Sequence, residues 1–455
     1  MGTTLENLIL TGTTGVAGTG NTWANTMTGN SGANLLRGLE GNDSLAGGAG
    51  SDTLDGGTGN DVLTGGTGND TYIIDSSFDV IVENADEGID NVTASQSFAL
   101  AGSIENLTLL GTSDFYGLGS TVANLLTGNI GANLLAGYDG NDTLIGGEGA
   151  DTLDGGTGND LMVGGKGNDV YYVDSLTDKV VEGLSSGRDT VMSSISYTLT
   201  STVENLTLTG STAINGKGNS MANTMTGNAG DNLLSGGTGN DTLVGGDGAD
   251  TLDGGLGIDN MAGGLGNDTY VINIITDVVT EAANEGIDTI RSALSRVLAA
   301  NFENLTLTGT ATLSGTGNAV DNVLTGNAGA NKLFGLDGND RIIGGLGNDQ
   351  ITGGNGADHF VFTSVRSGID VIADFNELNG GGEEGDMLEF VGLLHGTFSY
   401  LGAGGFTGGS DNSEARVSGN KVLVDTNGDG LTDISITLTG LTSAAQLSDT
   451  DFLFS

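Results

Sequence analysis

Residues 38–73 read GLEGNDSLA, GGAGSDTLD, GGTGNDVLT and GGTGNDTYI, four consecutive copies of the phrase Gly-Gly-x-Gly-x-Asp-x-U-x, with U apolar and Leu39 in place of the second glycine in the first copy. Two looser copies precede them, GNTWANTMT from Gly20 and GNSGANLLR from Gly29, with Asn at the sixth position. Self-similarity at a fixed short period sets the architecture before any propensity is consulted, because one copy is too small to bury an apolar face and must stack on its neighbours. The glycines permit positive φ and close backbone approach, which β-branched residues would forbid at such turns. Leu45, Leu54, Leu63 and Tyr72 stand at the apolar position and are expected to point into the core.

A second period encloses the first. Glu-Asn-Leu begins at Glu6, Glu105, Glu204 and Glu303, and Gly-Asn-Asp ends at Asp43, Asp142, Asp241 and Asp340, so both step by 99 residues, or eleven nonapeptides. The six-phrase block recurs from Gly119 and from Gly218, and a five-phrase version runs from Gly317 to Val361. Aspartate holds the sixth position at Asp43, Asp52, Asp61 and Asp70, at Asp142, Asp151, Asp160 and Asp169, at Asp241, Asp250, Asp259 and Asp268, and at Asp340, Asp349 and Asp358. The opening phrases carry Asn25 and Asn34, Asn124 and Asn133, Asn223 and Asn232, Asn322 and Asn331 instead.

These phrases resemble the RTX calcium-binding nonapeptide repeat. The resemblance implies an all-β fold, a parallel β-roll or β-solenoid in which six residues form a calcium-binding turn, three form a short strand and two nonapeptides complete a coil. Phrase i then stacks on phrase i+2, so Asp43 faces Asp61 and Asp52 faces Asp70, and each facing pair is expected to hold one Ca2+ among oxygen ligands. The competing reading, a metal-free solenoid shaped by Asx-turns, leaves carboxylates stacked about 4.8 Å apart with no counter-ion. Coils carrying Asn are expected to bind weakly or not at all, held by amide bonds to the turn backbone.

Between blocks lie 45-residue segments such as 75–119, with short β-like runs and no helical period. The solenoid is expected to continue through them in longer, less regular coils. Asp79, Asp178 and Asp277, with Asp90, Asp189 and Asp288, keep the 99-residue phase; a solvated turn role is favoured for them over metal ligation.

After Asp358 the phase breaks. His359-Phe-Val-Phe362, Gly368-Ile-Asp-Val-Ile-Ala-Asp-Phe375, Gly385-Asp-Met-Leu-Glu-Phe390 and the ending Asp449-Thr-Asp-Phe-Leu-Phe-Ser455 are similar to the C-terminal domain of serralysin-type secreted proteins. That resemblance implies export by type I secretion machinery with an uncleaved C-terminal signal. Asp425, Asn427, Asp429 and Asp433 occupy positions 1, 3, 5 and 9 of a loop resembling an EF-hand loop, with Gly430 at its turn, but Ile436 stands where the bidentate Glu belongs. A calcium-stapled hairpin turn and a solvated turn fit it equally. The resulting division is repeat units 1–103, 104–202 and 203–301, a partial unit 302–361 and a secretion domain 362–455.

Composition narrows the function. With 58 acidic and 12 basic residues the formal charge is −46, which repels nucleic acid and anionic membranes. No cysteine is present, so disulfides and thiolate metal sites are out. No run approaches 18 apolar residues, and the first ten residues lack the pattern of a secretory signal peptide. His-Glu-x-x-His is missing, only His359 and His395 are present, and Lys166 and Lys217 are followed by Gly rather than completing a phosphate loop. The expectation is an extracellular or cell-surface protein without enzymatic activity, folded by multiple Ca2+ and serving as a scaffold that self-assembles into filaments, sheets or matrix. The alternative is an adhesin or host-interaction factor that binds cell-surface polysaccharide; an accessory part of an extracellular enzyme is a weaker third.

Overall fold

Many of the nonapeptides contribute more strand than the resemblance implies. Ser44–Ala49, Thr53–Thr58 and Val62–Thr67 are six residues long, so a strand takes the last three residues of one phrase and the first three of the next. In these phrases the expected division into six turn residues and three strand residues is reversed, whereas Thr26–Thr28, Thr152–Asp154 and Arg341–Ile343 keep the three-residue strand. The cause is the glycine at the second position: Gly48 and Gly66, at φ 113° and 99°, bend the chain yet remain in register with each other, so the ladder passes through the bend.

The ladders are parallel, each strand pairing with the next but one. Leu45 lies beside Leu63, and Leu54 beside Leu36 and Tyr72. Alternate phrases thus build two sheets whose inward side chains meet. Met27, Leu36, Leu45, Leu54, Leu63 and Tyr72 are all buried, the apolar core expected from the sequence.

The computed structural model describes residues 1–2, 4–184, 186–376, 385–409 and 411–455. It comprises two compact units, one formed by Met1–Gly210 with Ile214–Met225, the other by Ser211–Ala213 with Thr226–Ser455. In the first, one sheet runs through alternate strands from Asn7–Ile9 to Val80–Val82, and a ten-stranded sheet runs from Ala17–Thr19 to Lys179–Val181. Parallel pairing continues through the linking segment, where Asn91–Ala94 lies between Thr71–Ile74 and Asn106–Leu109. The first of these coils is longer than two nonapeptides and the second shorter, but the hydrogen bonding is unbroken.

In the second unit the same stacking runs from Leu233–Thr238 through Thr251–Leu256, Thr269–Ile272, Thr289–Ser292 and Asn304–Leu307. Beyond Asp358, Met387–Phe390 stacks on His359–Phe362, and Phe452–Phe454 stacks on Met387–Phe390, all in parallel. Ile434–Leu438 pairs in parallel with Ile369–Ile372 and then turns antiparallel to Lys421–Asp425, which pairs antiparallel with Glu414–Ser418. This hairpin is the departure from nonapeptide topology, and the rings of Phe390, Phe398, Phe452 and Phe454 pack beside it at centroid distances of 4.1–6.0 Å. Among the described residues the helical segments are the short 3-10 turns Ala444–Gln446 and Asp449–Asp451, and no helix is long and apolar enough to cross a membrane.

Candidate metal centres

The long strands leave Gly-x-Asp as the turn proper, and the stacking places each sixth-position aspartate under the turn two phrases before it. Its Oδ1 accepts that turn's backbone N–H. Asn25 donates to Asp43 at 2.6 Å, Asp43 to Asp61 at 2.7 Å, and on the opposite side Asp52 donates to Asp70 at 2.7 Å. The second block repeats the pattern with Asp142 to Asp160 and Asp151 to Asp169, the third with Asp241 to Asp259 and Asp250 to Asp268, and the fourth with Asn331 to Asp349 and Asp340 to Asp358. The pairs expected to face each other therefore do meet. All fifteen of these aspartates are buried, none more than 2% exposed.

The other carboxylate oxygen is left over. Oδ2 of Asp43, Asp52, Asp61 and Asp70, of Asp142, Asp151, Asp160 and Asp169, of Asp250, Asp259 and Asp268, and of Asp340, Asp349 and Asp358 is buried and accepts no hydrogen bond. A buried, unpaired carboxylate is among the costliest groups in a folded chain. Each Oδ2 borders a cradle at the first-position glycine: a Cβ added at Gly38 would collide with Asp43 Oδ2 and with the carbonyl of Gly56 in the next stacked turn, and Gly137 and Gly335 repeat this against Asp142 and Gly155, and against Asp340 and Gly353. Carboxylates and carbonyls with no sulfur or imidazole form the donor set of a hard cation, and Ca2+ accepts six to eight such oxygens. The residues fit calcium: successive sixth-position aspartates and turn carbonyls would hold it, and the ion supplies the positive charge that the row of oxygens lacks.

Without that charge the site resists ionisation. Burial, opposed by the backbone N–H bond and reinforced by neighbouring carboxylates, pushes Asp61 and Asp70 up to about 6 from 3.8, and Asp340 up to about 7. Burial raises Asp43 and Asp52 in the same direction.

Asparagine turns are satisfied differently. Asn25 Oδ1 accepts the N–H of Asn21, while its amide nitrogen donates to Asn21 Oδ1 and the Leu5 carbonyl. Asn34 with Asn30, Asn133 with Asn129 and Asn331 with Asn327 repeat the side-chain pair. These coils close by amide bonds and have no orphaned charge for a cation to neutralise.

One expectation needs correction. Asp90, Asp189, Asp277 and Asp288 are not solvated turn residues but are at most 5% exposed. They extend the aspartate ladder, with Asp70 N–H bonded to Asp90, Asp169 to Asp189 and Asp268 to Asp288 at 2.7–2.9 Å. Asp79 and Asp178 likewise accept from Asp61 and Asp160. The ladder also passes the phase break to Asp370 and Asp386, which accept from Asp349 and Asp358; sequence reading missed both because the coils that carry them are longer than two nonapeptides. At the C-terminal loop, Asp425 Oδ1 accepts from Asn427 and Gly428 and its Oδ2 from Gly430, Asp429 Oδ1 accepts from Leu431, and Asp433 Oδ2 holds the Thr426 N–H and hydroxyl. These bonds close the loop on itself, and both the calcium-stapled and the solvated turn are compatible with them.

Parallel stacking, buried aspartate rows and all-oxygen cradles define the molecule as a metal-binding β-solenoid. A family model described as the RTX calcium-binding nonapeptide repeat (4 copies) matches residues 19–81, 118–179, 217–270 and 316–360 as overlapping segments. The chain is an RTX calcium-binding nonapeptide-repeat protein over these blocks. No curated protein matches it. Among solved structures it is similar to the extracellular lipase LipA from Serratia marcescens, at 19% identity and a TM-score of 0.17, over 54% of this chain. The match spans 40% of that lipase chain, and so low a score carries no argument about fold or activity.

The cradle makes a direct prediction. Gly38→Ala places a methyl group against Asp43 Oδ2 and the Gly56 carbonyl. It is expected to cost about 1–3 kcal/mol of stability in calcium-containing urea unfolding through overpacking, and to reduce calcium bound at saturation. Unchanged stoichiometry and midpoint would show that the oxygens bordering Gly38 hold no ion.

Proposed function

We propose that the chain is a secreted, calcium-folded scaffold without catalytic activity of its own, exported through a type I channel and assembling outside the cell. The observation that carries this reading is the row of buried, unpartnered Oδ2 atoms, because such rows make folding conditional on a cation that is scarce in cytoplasm and abundant outside. Before export the charge of −46 keeps the chain expanded and able to thread a channel; after export, ions collapse it. Against catalysis stands the use already made of His359 and the carboxylates: His359 Nδ1 lies 3.2 Å from Glu389 Oε2 on a strand, and the aspartates sit in turns. Assembly is supported by exposed apolar side chains on one sheet, Val62 beside Val80 with Val82 next to them, since an open apolar patch favours association.

Negative-stain imaging of purified protein with and without millimolar calcium tests the proposal. Filaments, sheets or a lattice in calcium, dispersed by chelator, are the expected result. Isolated particles that bind polysaccharide or cells would replace the scaffold with the adhesin reading.

A further inference from the structure

At the last aspartate turn of each of the first three blocks, a carboxylate oxygen from each of three side chains lies within 4.8 Å of the others: Asp70, Glu83 and Asp90 in the first, Asp169, Glu182 and Asp189 in the second, Asp268, Glu281 and Asp288 in the third. In the interior of a block the oxygen opposite Asp43 Oδ2 across its cradle is the carbonyl of Gly56, the glycine two phrases after Gly38. Gly65 is the last first-position glycine of its block, and the place two phrases after it is taken by Glu83. At Gly65 the oxygens that converge are Asp70 Oδ2, a carboxylate oxygen of Glu83 and the Tyr72 hydroxyl, and Gly164 shows the same set from Asp169, Glu182 and Tyr171. A charged donor has replaced a neutral carbonyl where no further glycine turn follows.

Acidity alone would mean little. Asp70, Asp90, Asp169, Asp268 and Asp288, however, are at most 1% exposed, and the Oδ2 atom of each has no hydrogen-bond partner. Glu83 Oε1 and Glu281 Oε1 are also buried and unpartnered, while the other oxygen of each glutamate takes the hydroxyl of Tyr72 or Tyr270. The fourth block is an internal contrast. Phe360 holds the tyrosine's place, and Asp374 accepts the N–H groups of Gly353 and Gly354 at 3.0 and 2.9 Å, so its carboxylate is occupied by backbone donors.

We propose that these three carboxylate trios are closing calcium sites, distinct from the nonapeptide turns in drawing on a glutamate and an aspartate of the linking segment. The inference rests on the calcium reading above. Three negative charges suit a cation of charge two or more, held next to a phenol. Its structural effect is to tie residues 83–90, which join Val80–Val82 to Asn91–Ala94, to the turn at Asp70. Ordering of the linking segments thereby becomes calcium-dependent although they contain no glycine-rich phrase.

The test compares the full chain with a triple variant, Glu83→Gln, Glu182→Gln and Glu281→Gln. At saturating calcium, equilibrium dialysis should show the variant binding three fewer ions per chain. Terbium is the second probe: because Tyr72, Tyr171 and Tyr270 contact the glutamates, tyrosine-sensitised terbium emission should fall by more than half in the variant. If the variant fails to fold, a Tyr72→Phe, Tyr171→Phe and Tyr270→Phe variant decides instead, since it should keep the parental stoichiometry and lose the sensitised emission. Parental stoichiometry and emission in the glutamine variant, or parental emission in the phenylalanine variant, would overturn the inference while leaving the nonapeptide sites intact. If the parent chain itself binds no calcium, the reading beneath it has failed.

Discussion

Removing calcium from the purified chain with a chelator at pH 7.5 is expected to abolish its far-ultraviolet β signal and to enlarge its radius of gyration roughly two- to three-fold. Two ionised carboxylates one strand spacing apart repel by about 3 kcal/mol at an effective dielectric near 20. The structure stacks such carboxylates in buried rows, Asp43 with Asp61 on one side and Asp52, Asp70 and Asp90 on the other. Against that stands an apolar core one residue wide per nonapeptide, Leu45 or Leu54 in each coil half. Each such side chain contributes about 1.5–3 kcal/mol on burial, comparable with the repulsion of a single pair, so the core alone does not hold the rows together. Restoring millimolar calcium should reverse the change. Since the chain has no proline, refolding should lack a phase of tens of seconds from X-Pro isomerisation. A chelated chain with unchanged circular dichroism and scattering would refute the calcium-linked fold.

The repeat made the coils, the core positions and the facing aspartates legible, because a strict nonapeptide period fixes which residues stack, as Leu45 on Leu63 and Asp43 under Asp61. Strand length was not legible: glycines at the first and second positions read as breakers, yet Gly48 and Gly66 stay inside the ladder. The closing trios were missed because Asp90 and its equivalents come from a coil longer than two nonapeptides, and Glu83, although two phrases after Gly65, stands outside any glycine-rich phrase. A signal was present all the same in the 99-residue steps of Tyr72, Tyr171 and Tyr270 and in the identical steps of Glu83, Glu182 and Glu281. The burial of Asp90 and its equivalents was misjudged for a related reason. A lone aspartate outside a glycine-rich phrase looks solvated until the turn above it is seen to need an acceptor.

Acid is expected to substitute for calcium. In chelator, lowering the pH from 7.5 to about 4.5 should restore compactness and β structure to the expanded chain. Burial raises the folded-state values of Asp61, Asp70, Asp142, Asp151, Asp169, Asp250, Asp268 and Asp349 to about 6, and of Asp340, Asp370 and Asp386 to about 7, against 3.8 for the ordinary carboxyl. A carboxyl raised on folding favours the folded state when protonated. Its contribution is fully present below about pH 4 and is lost as the pH climbs through about 6 to 7. The calcium-loaded chain should show the opposite slope, because an ion needs the carboxylates deprotonated and is released as protons compete over the same window. Stability against pH, followed by urea titration with and without calcium, should therefore give two curves of opposite slope that converge toward acid. Curves that stay parallel would mean that the buried aspartates titrate as ordinary surface carboxyls and that their rows neither repel nor hold an ion.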